Sequence, residues 1–398
     1  MSREPLLISS LSLVSALGDG LDTTWNALRE GRSALAPCEF EQLPIAAWAG
    51  EVQGLDIPLQ DDFSAFDCRN NRLAERALAA DGFGEAVSCA IARYGAQRVG
   101  LFTGTSTSGI LQSEQAYRQR DLQTGALPEG FAYGETHNTY ALGRFLRARL
   151  GLAGPSFTVS TACAATAKLF AVAARMISAG VCDAAVIGGA DSFCGTTLFG
   201  FHALGLMAEG PCRPFDAARN GISIGEAAGF ALLERAPATP ASRALLLLGT
   251  GESSDAHHMS SPDPDGRGAA TAMRLALTAA GLAPEAIDYI NLHGTATLVG
   301  DAAESKAVTS LFGPYTPRSS AKGFTGHTLG AAGMVAAAVA ALAIRHGFLP
   351  GSPHTQSLDP AFASGHLLAG RPAPVRRVMC NAFGFGGVNC SFILGSQA

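Results

Sequence analysis

Three short stretches place a reactive side chain where an apolar, strand-like run gives way to small residues. The first is Val159-Ser160-Thr161-Ala162-Cys163-Ala164-Ala165. Residues 156–160 read as a strand, and residues 164–178 as a long, mostly apolar helix ending at Gly180. A cysteine at a helix start meets unpaired N–H groups and the positive end of the helix dipole, which favour a thiolate and lower its pKa. The amide of Cys163 could also face a developing oxyanion. Taken alone, Cys163 is equally a packed structural thiol, the reading given to Cys182 and Cys194.

The second stretch is Asn291-Leu292-His293-Gly294-Thr295-Ala296-Thr297, followed by Gly300-Asp301 and Glu304. A histidine leaves the strand 289–292 among small and hydroxylic residues. Small side chains leave room for a ligand arm, and hydroxyls can hydrogen-bond its amides. The alternative is an ordinary hydrogen-bonded loop histidine. The third stretch is Lys322-Gly323-Phe324-Thr325-Gly326-His327-Thr328, before the Ala-rich helix 331–345. Lys322 is a rare charge in an apolar neighbourhood. If buried it needs an anion, for which Glu304 is a candidate; if exposed it is an ordinary surface lysine. A fourth stretch, Asn381-Ala382-Phe383-Gly384-Phe385-Gly386-Gly387-Val388-Asn389, is a glycine loop with two aromatics. It lacks G-K-[ST] and dinucleotide-fingerprint spacing, so an apolar gate or a backbone oxyanion donor fits better than a phosphate cradle.

These stretches need strands and helices to hold them, and the chain supplies both. Residues 6–14, 99–103, 184–187, 244–249, 378–381 and 391–394 read as further strands. Helices are expected over 25–29 (capped by Asp22-Thr23-Thr24), 69–80, 140–150, 268–280 and 301–311. Short apolar strands alternating with buried helices imply an α/β fold with covered sheets. The seam is expected at 237–240, dividing the chain into 1–239 with the cysteine and 240–398 with the two histidines. No sequence repeat between the halves is visible.

Composition sets outer bounds. Of 398 residues, 47% are apolar and 15% charged, enough for a large core. The formal charge of −5 argues against nucleic acid as partner. Nine cysteines without any C-x-x-C pair argue against a zinc site and fit a reducing cytoplasm. Residues 6–17 imitate a signal-peptide core, but Arg3-Glu4 is not a net-basic leader, and the stretch reads as a buried strand. No membrane span is expected.

In order and spacing the four stretches resemble the β-ketoacyl-acyl-carrier-protein synthases of the thiolase superfamily over almost the whole chain. Gly188-Gly189-Ala190-Asp191, Arg213-Pro214-Phe215-Asp216 and His258-Met259-Ser260-Ser261-Pro262 agree with it. The resemblance implies two similar βαβαβαββ halves in a five-layer αβαβα sandwich, usually dimeric, with a Cys163-His293-His327 triad. His327, where initiating relatives carry Asn, points to the elongating type. Cys390 lies near the place of a second thiolase cysteine, but its Gly386-Gly387-Val388-Asn389 context is of the synthase kind.

The same resemblance implies a ping-pong reaction. Cys163 takes an acyl group from the phosphopantetheine arm of acyl carrier protein, and malonyl carrier then loses CO₂ to give the attacking carbanion. No metal or resident cofactor is implied. The amides of Cys163 and Phe385 would form the oxyanion hole. Lys322 and Glu304 would pair and hold the histidine side. Thr295, Thr297, Phe383 and Gly386 fall at substrate-contact positions, and Phe385 at a gate. Thr107, in the 104–109 loop, stands where elongating enzymes line the acyl pocket with an apolar residue or Gly. Residues 200–216 and 221–228 resemble ketosynthases of aryl-polyene-type pathways, so the partner is either a second copy or a chain-length-factor subunit. Arg69, Arg72 and Arg76, at helical spacing, are candidate docking residues for the acidic carrier, or else an ordinary solvated face. The competing readings are a non-decarboxylating thiolase, a non-catalytic chain-length factor and an acyl-binding module.

Overall fold

The computed structural model describes residues 4–396. The first half of the chain supplies β1 (Leu6–Ser15), β2 (Val99–Gly104), β3 (Ser156–Val159), β4 (Ala184–Asp191) and β5 (Ala227–Arg235). The second supplies β6 (Leu245–Ser254), β7 (Tyr289–Asn291), β8 (Arg318–Ser319), β9 (Arg377–Gly384) and β10 (Val388–Ser396). Strands β2, β4 and β5 are almost wholly buried, and they read as continuous apolar runs because helices cover both sheet faces.

The spatial order is β3-β2-β4-β5-β1 in one half and β8-β7-β9-β10-β6 in the other. In each, the first three strands run parallel and the last two antiparallel to their neighbours. The second half thus repeats the first strand for strand. The halves join where Leu6 and Leu7 pair with Leu247 and Leu246.

Helices complete the sandwich. They are α1 (Leu21–Glu30), α2 (Arg69–Ala79), α3 (Ala165–Ser178), α4 (Arg267–Ala280), α5 (Leu298–Phe312) and α6 (Ala332–His346). α3 and α6 occupy equivalent places in the two halves, pack on each other, and each touches strands of both halves. They form the middle layer, while α2 covers the outside of the first sheet half and α4 that of the second. The alanines of α6 let the two halves approach closely. Leu329–His346 is apolar enough by composition to cross a membrane, with a mean hydropathy of 1.6, yet it is mostly buried between the sheet halves.

Several expected boundaries move: the helix expected over 301–311 starts at Leu298, and the strands expected over 244–249, 378–381 and 391–394 run longer. α1 starts at Leu21, with Asp22-Thr23-Thr24 inside its first turn, rather than at Trp25. The cap is tertiary: the Asp81 carboxylate accepts the Leu21 N–H at 2.9 Å. The helix closes at left-handed Gly31, as the sequence implies.

Candidate active site

Cys163 and His327 are delivered by equivalent pieces of the two halves, since each lies between a short strand (β3 or β8) and a central helix (α3 or α6). Cys163 sits in a single 3₁₀ turn, Ala162–Ala164, that runs into α3. Ala162 takes a φ of 48°, a left-handed conformation costly for a residue with a Cβ, and this turns the thiol out of the strand direction. The glycine loop lies directly over that turn. A Cβ on Gly384 would meet Thr161 O at 2.8 Å, so only glycine permits the approach. The backbone N–H groups of Phe385 and Cys163 then face the thiol, the pair expected to form an oxyanion hole.

His327 Nε2 stands 2.9 Å from Cys163 Sγ. Its Nδ1 accepts the Leu329 N–H at 3.3 Å, which places the ring proton on Nε2. His293 follows the same logic: Lys322 Nζ, a donor, lies 3.4 Å from its Nδ1, again leaving Nε2–H free. The two rings meet edge to face, with centroids 5.3 Å apart. Burial, reinforced by the Lys322 charge, holds both imidazoles well below the ordinary histidine range. Both are therefore neutral near pH 7.

The thiol departs from expectation. Burial pushes Cys163 up to about 11, against the opposing pull of Lys322 and the two amides. Desolvation is the largest influence on this group and holds it toward its protonated form.

Lys322 and Glu304 are both buried at the site but do not form the expected ion pair. Lys322 Nζ donates to the His293 carbonyl. Glu304 accepts the backbone N–H groups of His293 and Gly294 at 2.8 and 2.7 Å and the Asn381 amide at 3.1 Å. The strand-exit loop takes up both charges, so His293 is held from its carbonyl, its amide and its ring. Burial raises Glu304 and lowers Lys322.

A cavity of about 310 Å³ opens on these groups, lined by Cys163, His293, His327, Thr295, Thr297, Glu304, Phe383, Phe385 and Gly386. Phe385 is 37% exposed at its rim and packs on Phe201 at 5.5 Å. Thr107 is not among the lining residues. Its hydroxyl donates to Asp191 at 3.0 Å and accepts from the Ser192 amide at 3.2 Å.

The arginine trio is likewise engaged within the chain. Arg69 forks onto Glu226 at 2.6 and 2.8 Å, Arg72 onto Asp67 at 2.7 and 2.5 Å, and Arg76 bonds Asp19 at 2.6 Å. Their charges are matched within the chain, so they do not make a free basic face. Sequence reasoning also missed Asn381 as a support of Glu304. Its neighbour Ser391 donates to it across the β9–β10 pair at 2.8 Å, a contact that only strand register reveals.

A buried thiol and two neutral imidazoles on one cavity, in a duplicated αβαβα sandwich, define an acyl-transferring condensing enzyme of the thiolase fold. Family models agree: "Beta-ketoacyl synthase, N-terminal domain" matches residues 3–238, and "Beta-ketoacyl synthase, C-terminal domain" matches residues 245–356. The chain is similar to 3-oxoacyl-[acyl-carrier-protein] synthase 2 of Vibrio harveyi, at 32% identity over 99% of both chains. It is 30% identical to the mitochondrial 3-oxoacyl-[acyl-carrier-protein] synthase of Arabidopsis thaliana, over 99% of this chain and 94% of that one. Among solved structures, it matches a chain from the complex of the ketosynthase ApeO with its chain length factor ApeC from Xenorhabdus doucetiae. That match has a TM-score of 0.91 and 38% identity, over 99% of this chain and 98% of the other. A chain of the ishigamide ketosynthase/chain length factor matches with a TM-score of 0.90 and 28% identity over the whole of both. The protein belongs to the β-ketoacyl synthase family. It is an acyltransferase that carries out the condensation step of fatty-acid or polyketide-type synthesis.

Proposed function

We propose that Cys163 is the acyl acceptor and that His293 and His327 together stabilise the enolate formed from malonyl carrier. One observation carries this: both Nδ1 atoms are occupied as acceptors, so two neutral rings present Nε2–H to one cavity, one of them 2.9 Å from the nucleophile. Cys163 sulfur attacks the acyl thioester, and the proton it loses ends on the departing carrier sulfur. The amides of Cys163 and Phe385 hold the oxyanion, and the carrier thiol leaves with a proton. Malonyl thioester then enters, its carbonyl oxygen meeting the two Nε2–H groups. As the carboxylate departs as CO₂, its bonding electrons pass into the enolate that those donors stabilise. The enolate carbon attacks the acyl-Cys163 carbonyl, the C–S bond breaks with its electron pair going to sulfur, the Cys163 thiolate takes a proton from solvent, and the chain leaves two carbons longer. Thr295 and Thr297 line the channel taken by the pantetheine arm, and Phe385 gates it. Nothing in this sequence requires a metal or a resident cofactor.

His293→Ala tests the assignment. It should still form acyl-Cys163 but release CO₂ from malonyl carrier at least about 100-fold more slowly, the cost typical of one lost oxyanion donor. Equal loss of both half-reactions would contradict the division of labour.

We infer further that the chain works in the cytoplasm beside a chain-length-factor subunit and takes a polyene-type acyl chain. Two of the similar solved structures, by their descriptions, contain a ketosynthase and a chain length factor, and residues 200–216 and 221–228 resemble the aryl-polyene type. Elongation of saturated fatty acyl carriers alone, by a homodimer, would overturn this reading.

A further inference from the structure

Asp191 ends β4, is fully buried, and has no cationic partner among the described residues. Its carboxylate instead gathers six neutral donors. Thr105 Oγ1 approaches at 2.7 Å, the amides of Ser106 and Thr107 at 2.8 and 2.9 Å, and Thr107 Oγ1 at 3.0 Å; Ser106 Oγ also donates. All of these leave β2 in the first half. The sixth donor comes from the other half: the Gly330 N–H, at 2.6 Å.

Gly330 is pinned at both ends, because its carbonyl accepts Thr166 Oγ1 at 2.6 Å. Thr166 lies on α3, three residues beyond the nucleophile. Between Gly330 and His327 stands Leu329, held left-handed at a φ of 51°, whose N–H fixes His327 Nδ1. A continuous path therefore runs from the Asp191 carboxylate through Gly330 and Leu329 to the His327 ring, and on to Cys163 Sγ. The path leaves no slack, since a Cβ on Gly330 would lie 2.7 Å from Asp191 Oδ2 and 3.0 Å from the Ser106 amide.

We propose that Asp191 is a positioning residue for the condensation: by anchoring Gly330 to the β2 exit loop it sets the place and the tautomer of His327 over Cys163. This rests on the role given to His327 above. The arrangement has an electrostatic cost, because a buried negative charge near the thiol works against the thiolate. Placing a carboxylate there makes sense only if its geometry is what the site needs. An amide in its place puts an NH₂ among donors and must leave at least one N–H or O–H unpaired.

The test uses the full-length protein with malonyl-loaded acyl carrier protein, in Asp191→Asn, Thr166→Val and His327→Ala. Three quantities are read: CO₂ release, the pH profile of Cys163 alkylation, and the melting temperature. Asp191→Asn should slow CO₂ release 10-fold or more, with KM for the malonyl carrier within about twofold, while its Cys163 alkylates at least as fast as the native thiol at any given pH. A purely structural role would lower the melting temperature without separating those two activities. Thr166→Val removes the other pin with no change in charge. It should slow CO₂ release several-fold and leave the alkylation profile alone, and it decides the matter if Asp191→Asn does not fold. Folded variants releasing CO₂ within twofold of the native rate, while His327→Ala is crippled, would overturn the role of Asp191. Native CO₂ release by His327→Ala would instead overturn the role of His327.

Discussion

Replacing Lys322 by methionine keeps a long buried stem and removes its charge, which isolates what that charge does. Lys322 Nζ lies 3.4 Å from His293 Nδ1, and its charge also depresses His327. For two unit charges at that separation, an effective dielectric of about 20 gives roughly 5 kcal/mol of repulsion between ammonium and imidazolium. Burial is the larger cause of the depression and survives the substitution. The variant's histidines should therefore rise part of the way back toward the ordinary histidine range. Because only the neutral ring keeps Nδ1 as an acceptor, the acid limb of CO₂ release should move to higher pH by the same amount. The assay is the pH profile of CO₂ release from malonyl carrier, with the ring carbons of the histidines followed by NMR across the same range. A uniformly slower enzyme with an unmoved acid limb would refute the electrostatic role and leave Lys322 only its hydrogen bond to the His293 carbonyl.

Glu304→Ala strands the amides of His293 and Gly294 in a dry site. At about 1–3 kcal/mol for each orphaned donor, it should cost roughly 2–6 kcal/mol in urea unfolding, whereas Glu304→Gln, which keeps one acceptor, should cost less. Asp301 is raised by burial to about 7 although the Phe215 amide and Arg219 oppose the rise. A raised carboxyl favours the folded state when protonated, so its contribution is full below about pH 4 and lost as pH climbs to about 7, a loss on the order of 4 kcal/mol. Asp301→Asn should flatten that part of the stability–pH curve, and an unchanged slope would count against the shift. Arg76→Ala should leave KM for the acyl carrier within about twofold and stability within about 1 kcal/mol, because the side chain is engaged with Asp19 in a partly exposed pair. A large rise in KM would restore it as a docking residue.

The chemistry of the site was legible because reactive residues at strand exits, followed by small-residue helices, form a local pattern. Such stretches made Cys163, His293 and His327 candidates, each with a structural alternative, and it was the family resemblance carried by the order of the four stretches that implied the triad and the fold. The duplication was not legible. β3 and β8 span only Ser156–Val159 and Arg318–Ser319, too short to carry a repeat that survives in strand order rather than in residue identity. Tertiary charge matching was hidden too. The helical spacing of Arg69, Arg72 and Arg76 cannot disclose that Glu226, 157 residues away, meets Arg69. The same limit explains Lys322 and Glu304: the sequence indicates two opposite charges in an apolar region, but only the folded loop shows that both bind its backbone. The cysteine erred in the other direction. Its place at a helix start suggested a low pKa, and desolvation, which no linear pattern reports, prevails.

The central claim is that Cys163 carries the growing chain. Intact-mass analysis after mixing the protein with a panel of acyl-carrier thioesters tests it most directly, with Cys163→Ala alongside. The account predicts one acyl adduct on the native chain, absent from the variant, with the preferred acyl group indicating the pathway. An adduct of equal yield on Cys163→Ala, or none with any acyl group even when a chain-length-factor partner is supplied, would contradict it.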